Sequence, residues 1–411
     1  MQSDMDQIMK EHGIDALWVT GPADHNPNMV YYTGLHHVSG ADLIKLCGKP
    51  PLLFHNAMER EEAAKTGLQT RNLADFPFTK YLEKSNRDVL KAYTLMNAAI
   101  LKEAGITSGR VAVSGRNDVG SAFTQFSALQ KHIPEIEFVD QLQDNAFNLS
   151  RLTKSAEEIE RIRKVGLLTI EIVGMTAEYL SSLREVNGIL VGKEGSPMSV
   201  ADVKKKIRLW FAERNLESPE ETIFAIGRDA GIPHSAGNPD DVIRTGVPIV
   251  FDIFPCEAGG GYFYDFTRTW CFGYAPDETM KLYEDVRLVY EKIISELKIN
   301  QPFSDYQNRT CQLFTEMGHT TIKEKPKLEE GYVHSIGHGV GLAVHEKPFS
   351  GMGASALDIL QPGVVLTVEP GLYYPSRNMG VRLEDTLYAT ATGEFKIFAD
   401  YPLDLVIPLR R

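Results

Sequence analysis

At 411 residues, with 43% apolar and 24% charged residues, the chain is too long for one hydrophobic core and has the composition of a soluble protein of about two domains. Its net charge of −12 is dispersed, with no basic cluster to meet a phosphate backbone, which excludes nucleic acid as a partner. No run approaches the roughly 18 apolar residues of a membrane span. The acidic segment 1–13 is unlike a secretory leader, and four widely spaced cysteines (Cys47, Cys256, Cys271, Cys311) suit a reducing compartment, so a cytoplasmic location is expected.

In chain order, residues 15–20 and 51–54 read as strands, 85–103 as a helix and 110–114 as a further strand. That alternation predicts an α/β domain over residues 1–150. Ser155 followed by Glu158 is a capping box, and Ile159, Ile162 and Val165 begin an apolar helical stripe. The domain boundary falls just before this helix, which leaves residues 151–411 as a second domain. Helices are expected there at 200–214, 277–297 and 304–317. Runs with β character lie at 222–226, 247–254, 262–272, 364–374, 381–390 and 403–407. The last three follow one another without a helix and predict an antiparallel sheet in an α+β domain.

Four carboxylates stand inside those apolar runs: Asp252, Asp265, Glu369 and Glu384. One such residue is ordinary, facing solvent or an arginine. Four of them in strands fit for a core point to pairing or to metal, because carboxylates are almost never fully buried otherwise. The segment Tyr332 to Glu346 adds His334, His338 and His345. Its i, i+4 pair His334/His338 mimics a helical zinc site, but Gly337, Gly339 and Gly341 disfavour a helix and predict a loop or bent strand. Such an oxygen-rich set with histidine suits two ions of Mn, Co, Fe or Zn better than a structural zinc, which would want cysteines. Two divalent ions about 3.5–4 Å apart can share a hydroxide and clamp a tetrahedral oxyanion.

Four segments carry a family resemblance. They are Phe251-Asp252 followed by Asp265-Phe266-Thr267-Arg268-Thr269; Gly337-His338-Gly339-Val340-Gly341 with His345-Glu346; Thr367-Val368-Glu369-Pro370-Gly371; and Val381-Arg382-Leu383-Glu384-Asp385. In order and spacing, over residues 155–410, they resemble the pita-bread metallopeptidases, which include methionine aminopeptidase, prolidase and aminopeptidase P. The resemblance implies a curved, largely antiparallel sheet holding two divalent metals. By the same resemblance Asp252 chelates one ion, His338 and Glu369 bind the other, and Asp265 and Glu384 bridge them. Glu369 relays the proton from a bridging hydroxide or water, His234 contacts substrate, His345 stabilises the tetrahedral intermediate, and Arg382 supports a bridging carboxylate. Asp252 and Asp265 are 13 residues apart where the family has 11. An insertion of two keeps side-chain alternation, so both still face one side of a hairpin.

Asn28 to Leu35 resembles the creatinase-type N-terminal domain of prolidases. Methionine aminopeptidases lack that domain, so the resemblance favours an Xaa-Pro dipeptidase or aminopeptidase acting on small peptides, with manganese among the candidate metals. Relatives form homodimers, and His25, His36 and His37 are candidates to reach the partner's active site, beside their plainer reading as surface turn residues. An apolar wall for the proline ring is expected from Tyr262, Tyr264 and Phe349. A C–N hydrolase, a lyase acting on a non-peptide small molecule and a metal-free binding module share the scaffold and stand as alternatives. All five ligand positions are filled, which counts against the metal-free ones.

Overall fold

The computed structural model describes residues 4–139 and 144–410. They form two compact units, one of Met1–Ser150 with Gly259–Gly261 and one of Arg151–Ala258 with Tyr262–Arg411. In the first unit a mixed sheet runs in the order Gln69–Asn72, Leu52–His55, Ala41–Leu46, Ala16–Gly21, Gly109–Gly115, Ile136–Val139. Ala16–Gly21 is antiparallel to Ala41–Leu46 and parallel to Gly109–Gly115. Its residues alternate between two cores, which is why the whole run is apolar. Leu17 and Val19 pack with Met5, Met9 and Met29, while Ala16 and Trp18 pack with Ile100, Leu101 and Leu129.

The helix expected at 85–103 begins later, at Val89. Asp88 caps it by accepting from the Lys91 N–H at 2.9 Å, and Asn86 and Arg87 hold φ of 54° and 66°, outside the helical region. The preceding residues belong to a separate helix, Phe78–Lys84.

The second unit opens with the helix Ala156–Ser181, whose capping box forms in both directions. Ser155 Oγ accepts from the Glu158 N–H at 3.2 Å, and Glu158 Oε2 accepts from the Ser155 N–H at 2.8 Å. One sheet runs Ile223–Ile226, Ile249–Ile253, Phe266–Phe272, Val406–Ile407. A second runs Glu346–Phe349, His338–Gly339, Val365–Val368, Asp385–Ala389, Phe395–Ile397, and Gly371–Tyr374 pairs with Met379–Arg382 as a hairpin. The helices Asp277–Glu296 and Phe303–Glu316 bury Val286, Val289, Ile293 and Phe314 against Leu366, Leu372 and Leu387.

Three β runs differ from the sequence expectation. Residues 364–374 and 381–390 each break into two strands, at Glu369-Pro370 and at Leu383-Glu384. Pro370 has no N–H to continue a ladder, and Leu383 and Glu384 give theirs to Pro370 O and Thr267 O instead. The run 403–407 yields only Val406–Ile407, which lies parallel to Phe266–Phe272 rather than in an antiparallel set. Pro402 and Pro408 bracket it, and the Tyr401 and Pro402 carbonyls accept from Arg268.

Removing the cap in Ser155→Ala is expected to cost about 1 kcal/mol. Urea unfolding should show a lower midpoint with an unchanged slope.

Candidate metal centre

The strands just described converge on one cleft of about 530 Å³ in the second unit. Asp252 lies in Ile249–Ile253 directly opposite Thr267, and Asp265 precedes Phe266–Phe272 by one residue, two positions from Thr267. Both aspartates therefore share one face, as the insertion of two residues requires. His338 lies on the short strand His338–Gly339, and a Cβ on Gly339 would stand 2.0 Å from the Lys347 carbonyl oxygen, so only glycine lets the strands approach so closely. Glu369 and Glu384 occupy the two strand breaks. Asp252, Asp265, His338, Glu369 and Glu384 all line this cleft, as do His234, His345 and Arg382.

Asp265, His338 and Glu384 each offer a ligand atom, and these atoms lie within 4.8 Å of one another. His338 Nε2 is 3.6 Å from Asp265 Oδ2 and 3.5 Å from Glu369 Oε1. Its Nδ1 sits 3.1 Å from the Gly339 carbonyl, so Nδ1–H donates there and the Nε2 lone pair faces the carboxylates. Glu384 Oε2 accepts from the Thr267 hydroxyl at 2.7 Å. Asp252 Oδ2 accepts from Arg382 Nη2 at 2.6 Å. Arg382 thus touches Asp252 directly and reaches Glu384 only through the Thr267 hydroxyl, 3.3 Å from its Nε.

Three buried oxygens of the cluster, Asp252 Oδ1, Asp265 Oδ1 and Glu384 Oε1, have no hydrogen-bond partner. A buried carboxylate oxygen without a donor is costly unless a cation faces it, and three converging beside an imidazole lone pair fit divalent metal. The charges agree. Burial, followed by the Asp252 and Glu369 charges, holds the Asp265 carboxyl well above its usual range. Burial and then Asp265 do the same to Glu384. Glu369 is pushed up to about 8, chiefly by burial, with Arg382 opposing. Burial, then His345, lowers His338 to about 3, which keeps its ring neutral.

Of the expected proline wall, Phe349 alone lines the cleft. Tyr262 is buried with its hydroxyl donating to Glu158 Oε1 at 2.5 Å and Arg161 over its ring, and Tyr264 packs against Phe398 and Gly166. The wall instead includes Ile223, Phe254 and Val344, which the sequence reading missed. His334 also lines the cleft, with Nε2 2.8 Å from the Tyr373 hydroxyl, which in turn accepts from Arg382 Nη1 at 2.7 Å. Its place in the histidine segment was visible, but not its partner. His36 and His37 line a different cavity, within the first unit.

A two-unit fold with this cleft in its second half has known counterparts. Residues 160–391 match Metallopeptidase family M24, and residues 3–165 match the Creatinase/Prolidase N-terminal domain. The chain belongs to metallopeptidase family M24, with the pita-bread fold in its second half and a creatinase-type domain before it. It is 24% identical over 410 residues to an Xaa-Pro dipeptidase of Lactobacillus delbrueckii subsp. lactis, covering 98% of this chain and 97% of that one. It is 27% identical over 399 residues to an uncharacterised peptidase of Staphylococcus aureus strain MW2, covering 94% and 95%. The fold matches the structure of an Xaa-Pro dipeptidase from Bacillus anthracis with a TM-score of 0.76 at 21% identity, over 98% of this chain and 99% of that one.

The carboxyl shifts carry a pH signature. Glu369 holds its proton more tightly when folded (about 8) than at its ordinary value of 4.5, so raising the pH across that interval strips a proton that favours the fold. Chelator-treated protein should lose thermal stability as pH rises from 5 to 8, and Glu369→Gln should flatten the decline. A wild-type profile that Glu369→Gln leaves unchanged contradicts this.

Proposed function

We propose that the chain hydrolyses the peptide bond preceding proline, as an Xaa-Pro dipeptidase or aminopeptidase, with two divalent ions held by Asp252, Asp265, His338, Glu369 and Glu384. The observation that carries the reading is the convergence of partnerless buried carboxylate oxygens and the His338 Nε2 lone pair in a cleft with an apolar wall. The Xaa-Pro dipeptidases among its relatives and structural neighbours support the substrate class. When bound, the ions supply Lewis acidity and lower the pKa of an attacking water; Mn, Co, Zn and Fe all suit the donors.

Around them, the chain's own residues have distinct tasks. Asp252, held by Arg382, and Asp265 and Glu384 would hold the ions. Glu369 would take a proton from the attacking water and return it to the departing prolyl nitrogen. His345 and His234 line the same cleft, where a scissile carbonyl would lie. Partial burial lowers the pKa of His345, so a neutral ring can donate to the oxygen as negative charge develops. The X-Pro bond has no N–H, so the site selects by ring shape, and Ile223, Phe254, Val344 and Phe349 supply the apolar surface. Residues 151–411 form the hydrolytic domain in this reading. The protein acts in the cytoplasm as a homodimer, with His25, His36 and His37 the candidates to face a partner; sedimentation would test the dimer.

Asp265→Asn should abolish metal binding and activity while leaving the metal-free fold intact, because it removes one repelling charge from the cluster. Circular dichroism and metal analysis decide this, and a variant that fails to fold would make Asp265 a structural residue. His345→Ala should keep its metal content and lose about 10²–10³-fold in kcat on an Xaa-Pro dipeptide. Wild-type protein that cleaves Xaa-Ala as readily as Xaa-Pro would refute the substrate assignment.

A further inference from the structure

Behind the cleft lies a second charged cluster that the reaction above does not use. Glu346 follows His345 in sequence, and its carboxylate is almost fully buried. Glu346 Oε1 accepts from Lys154 Nζ at 2.6 Å, and Oε2 stands 3.8 Å from Arg151 Nε. The Lys154 side chain is 2% exposed and also donates to the Arg151 carbonyl at 2.7 Å. These two cations come from the segment leading into the helix Ala156–Ser181, and Lys154 precedes its anion by 192 residues.

The chain at Lys154 is firmly held. Its N–H donates to Gly363 O at 2.8 Å, and Thr153 bridges to Val364. The loop at Glu346 is folded around the carboxylate. Glu346 pairs with Gly339, and a Cβ on Gly341 would stand 2.0 Å from Glu346 Oε1. Glu346 opens the strand Glu346–Phe349, and His345 is the last residue of the bend before it. Glu346 is turned inward onto Lys154, while His345 lines the cleft, its ring centroid 4.2 Å from that of His338.

A buried ion pair is a weak source of stability, since desolvation offsets most of the attraction and apolar replacements are often neutral or better. What an apolar pair lacks is direction. Lys154 fixes the Glu346 carboxylate by a charge-assisted hydrogen bond of set length, and a misplacement of about 1 Å at a catalytic group can cost on the order of 10²-fold in rate.

We propose that Lys154 and Glu346 form a positioning device that sets the direction of His345 toward the scissile carbonyl, an inference that rests on the peptidase reading for the role of His345. Glu346→Gln should lower kcat by about 10²-fold with KM and metal content unchanged. Lys154→Met alone strands a buried carboxylate and can unfold the chain, so the decisive variant is Lys154→Met/Glu346→Met. It should melt near the wild-type temperature and still show the loss in kcat. In a His345→Ala background, Glu346→Gln should cost nothing further. An equal loss in both backgrounds, or full kcat in the double methionine variant, would overturn the proposal. NMR of 15N-histidine-labelled protein, with the His345 ring assigned by its absence in His345→Ala, reads the device without substrate. One sharp ring environment is expected in wild type and several in the double variant; a single unchanged environment would also overturn it. Wild-type protein that fails to cleave Xaa-Pro would sink the substrate reading, while the NMR result would still decide the anchoring.

Discussion

Keeping Asp252, Asp265, Glu369 and Glu384 close together and away from water is the constraint that organises the second unit. Burial disfavours charge on Asp265, Glu369 and Glu384, and the Asp252 carboxylate raises the pKa of all three. The chain supplies few donors in compensation. Arg382 goes to Asp252, the Thr267 hydroxyl to Glu384 and the Thr367 hydroxyl, at 3.5 Å, to Glu369, while Asp252 Oδ1, Asp265 Oδ1 and Glu384 Oε1 stay open. A cluster fully satisfied by hydrogen bonds would be a stable polar core. One left partly unsatisfied fits a cation that arrives from outside, and the membership in a metallopeptidase family agrees with that.

Threonines hold the geometry, each on a strand next to the one whose ligand it serves. Thr386 bonds the backbone of Asp265, accepting from its N–H and donating to its carbonyl. Thr267 serves Glu384, and Thr367 accepts from the His338 N–H. Thr269 both accepts from the Arg382 N–H and donates to its carbonyl. Behind them Arg268 grips Asp385 through two contacts and donates to the Glu384 carbonyl at 2.8 Å, with Tyr290 on the other side of Asp385. Small β-branched donors suit this task, because they are stiff and well accommodated in strands. Together these bonds tie the Asp265 strand to the Glu384 strand across the break between sheets.

The carboxylate cluster was legible in the sequence because a carboxylate in an apolar run is physically anomalous, and four such anomalies are hard to explain separately. The sheet breaks that place Glu369 and Glu384 were not, since an apolar run reads the same whether the chain stays in one sheet or changes to another. Pro370 was the visible sign of the first break. The helix start at Val89 was not legible either, because the φ of Asn86 and Arg87 is not written in residue type. The proline wall failed on parity. Tyr264 adjoins Asp265, so once Asp265 faces the cleft, Tyr264 must face the core, and it is fully buried there.

The same parity explains where the wall comes from. Ile223 is directly opposite Asp252 in register, Phe254 is two residues beyond Asp252, and Phe349 is directly opposite His338. Each of these three therefore occupies the same face as a residue of the cluster and lies one pleat or one strand away from it. The cleft is one face of the sheets, on which the centre is polar and the surround apolar. A slip of one residue in any of these strands would move its ligand and its wall residue to the core side together. The apolar surround also excludes water from the carboxylates, which strengthens the electrostatic preference for a cation at the centre. The polar centre and its apolar surround are for this reason properties of one surface, and a substitution at Phe254 or Ile223 alters the dielectric around Asp252 as well as the shape of the cleft.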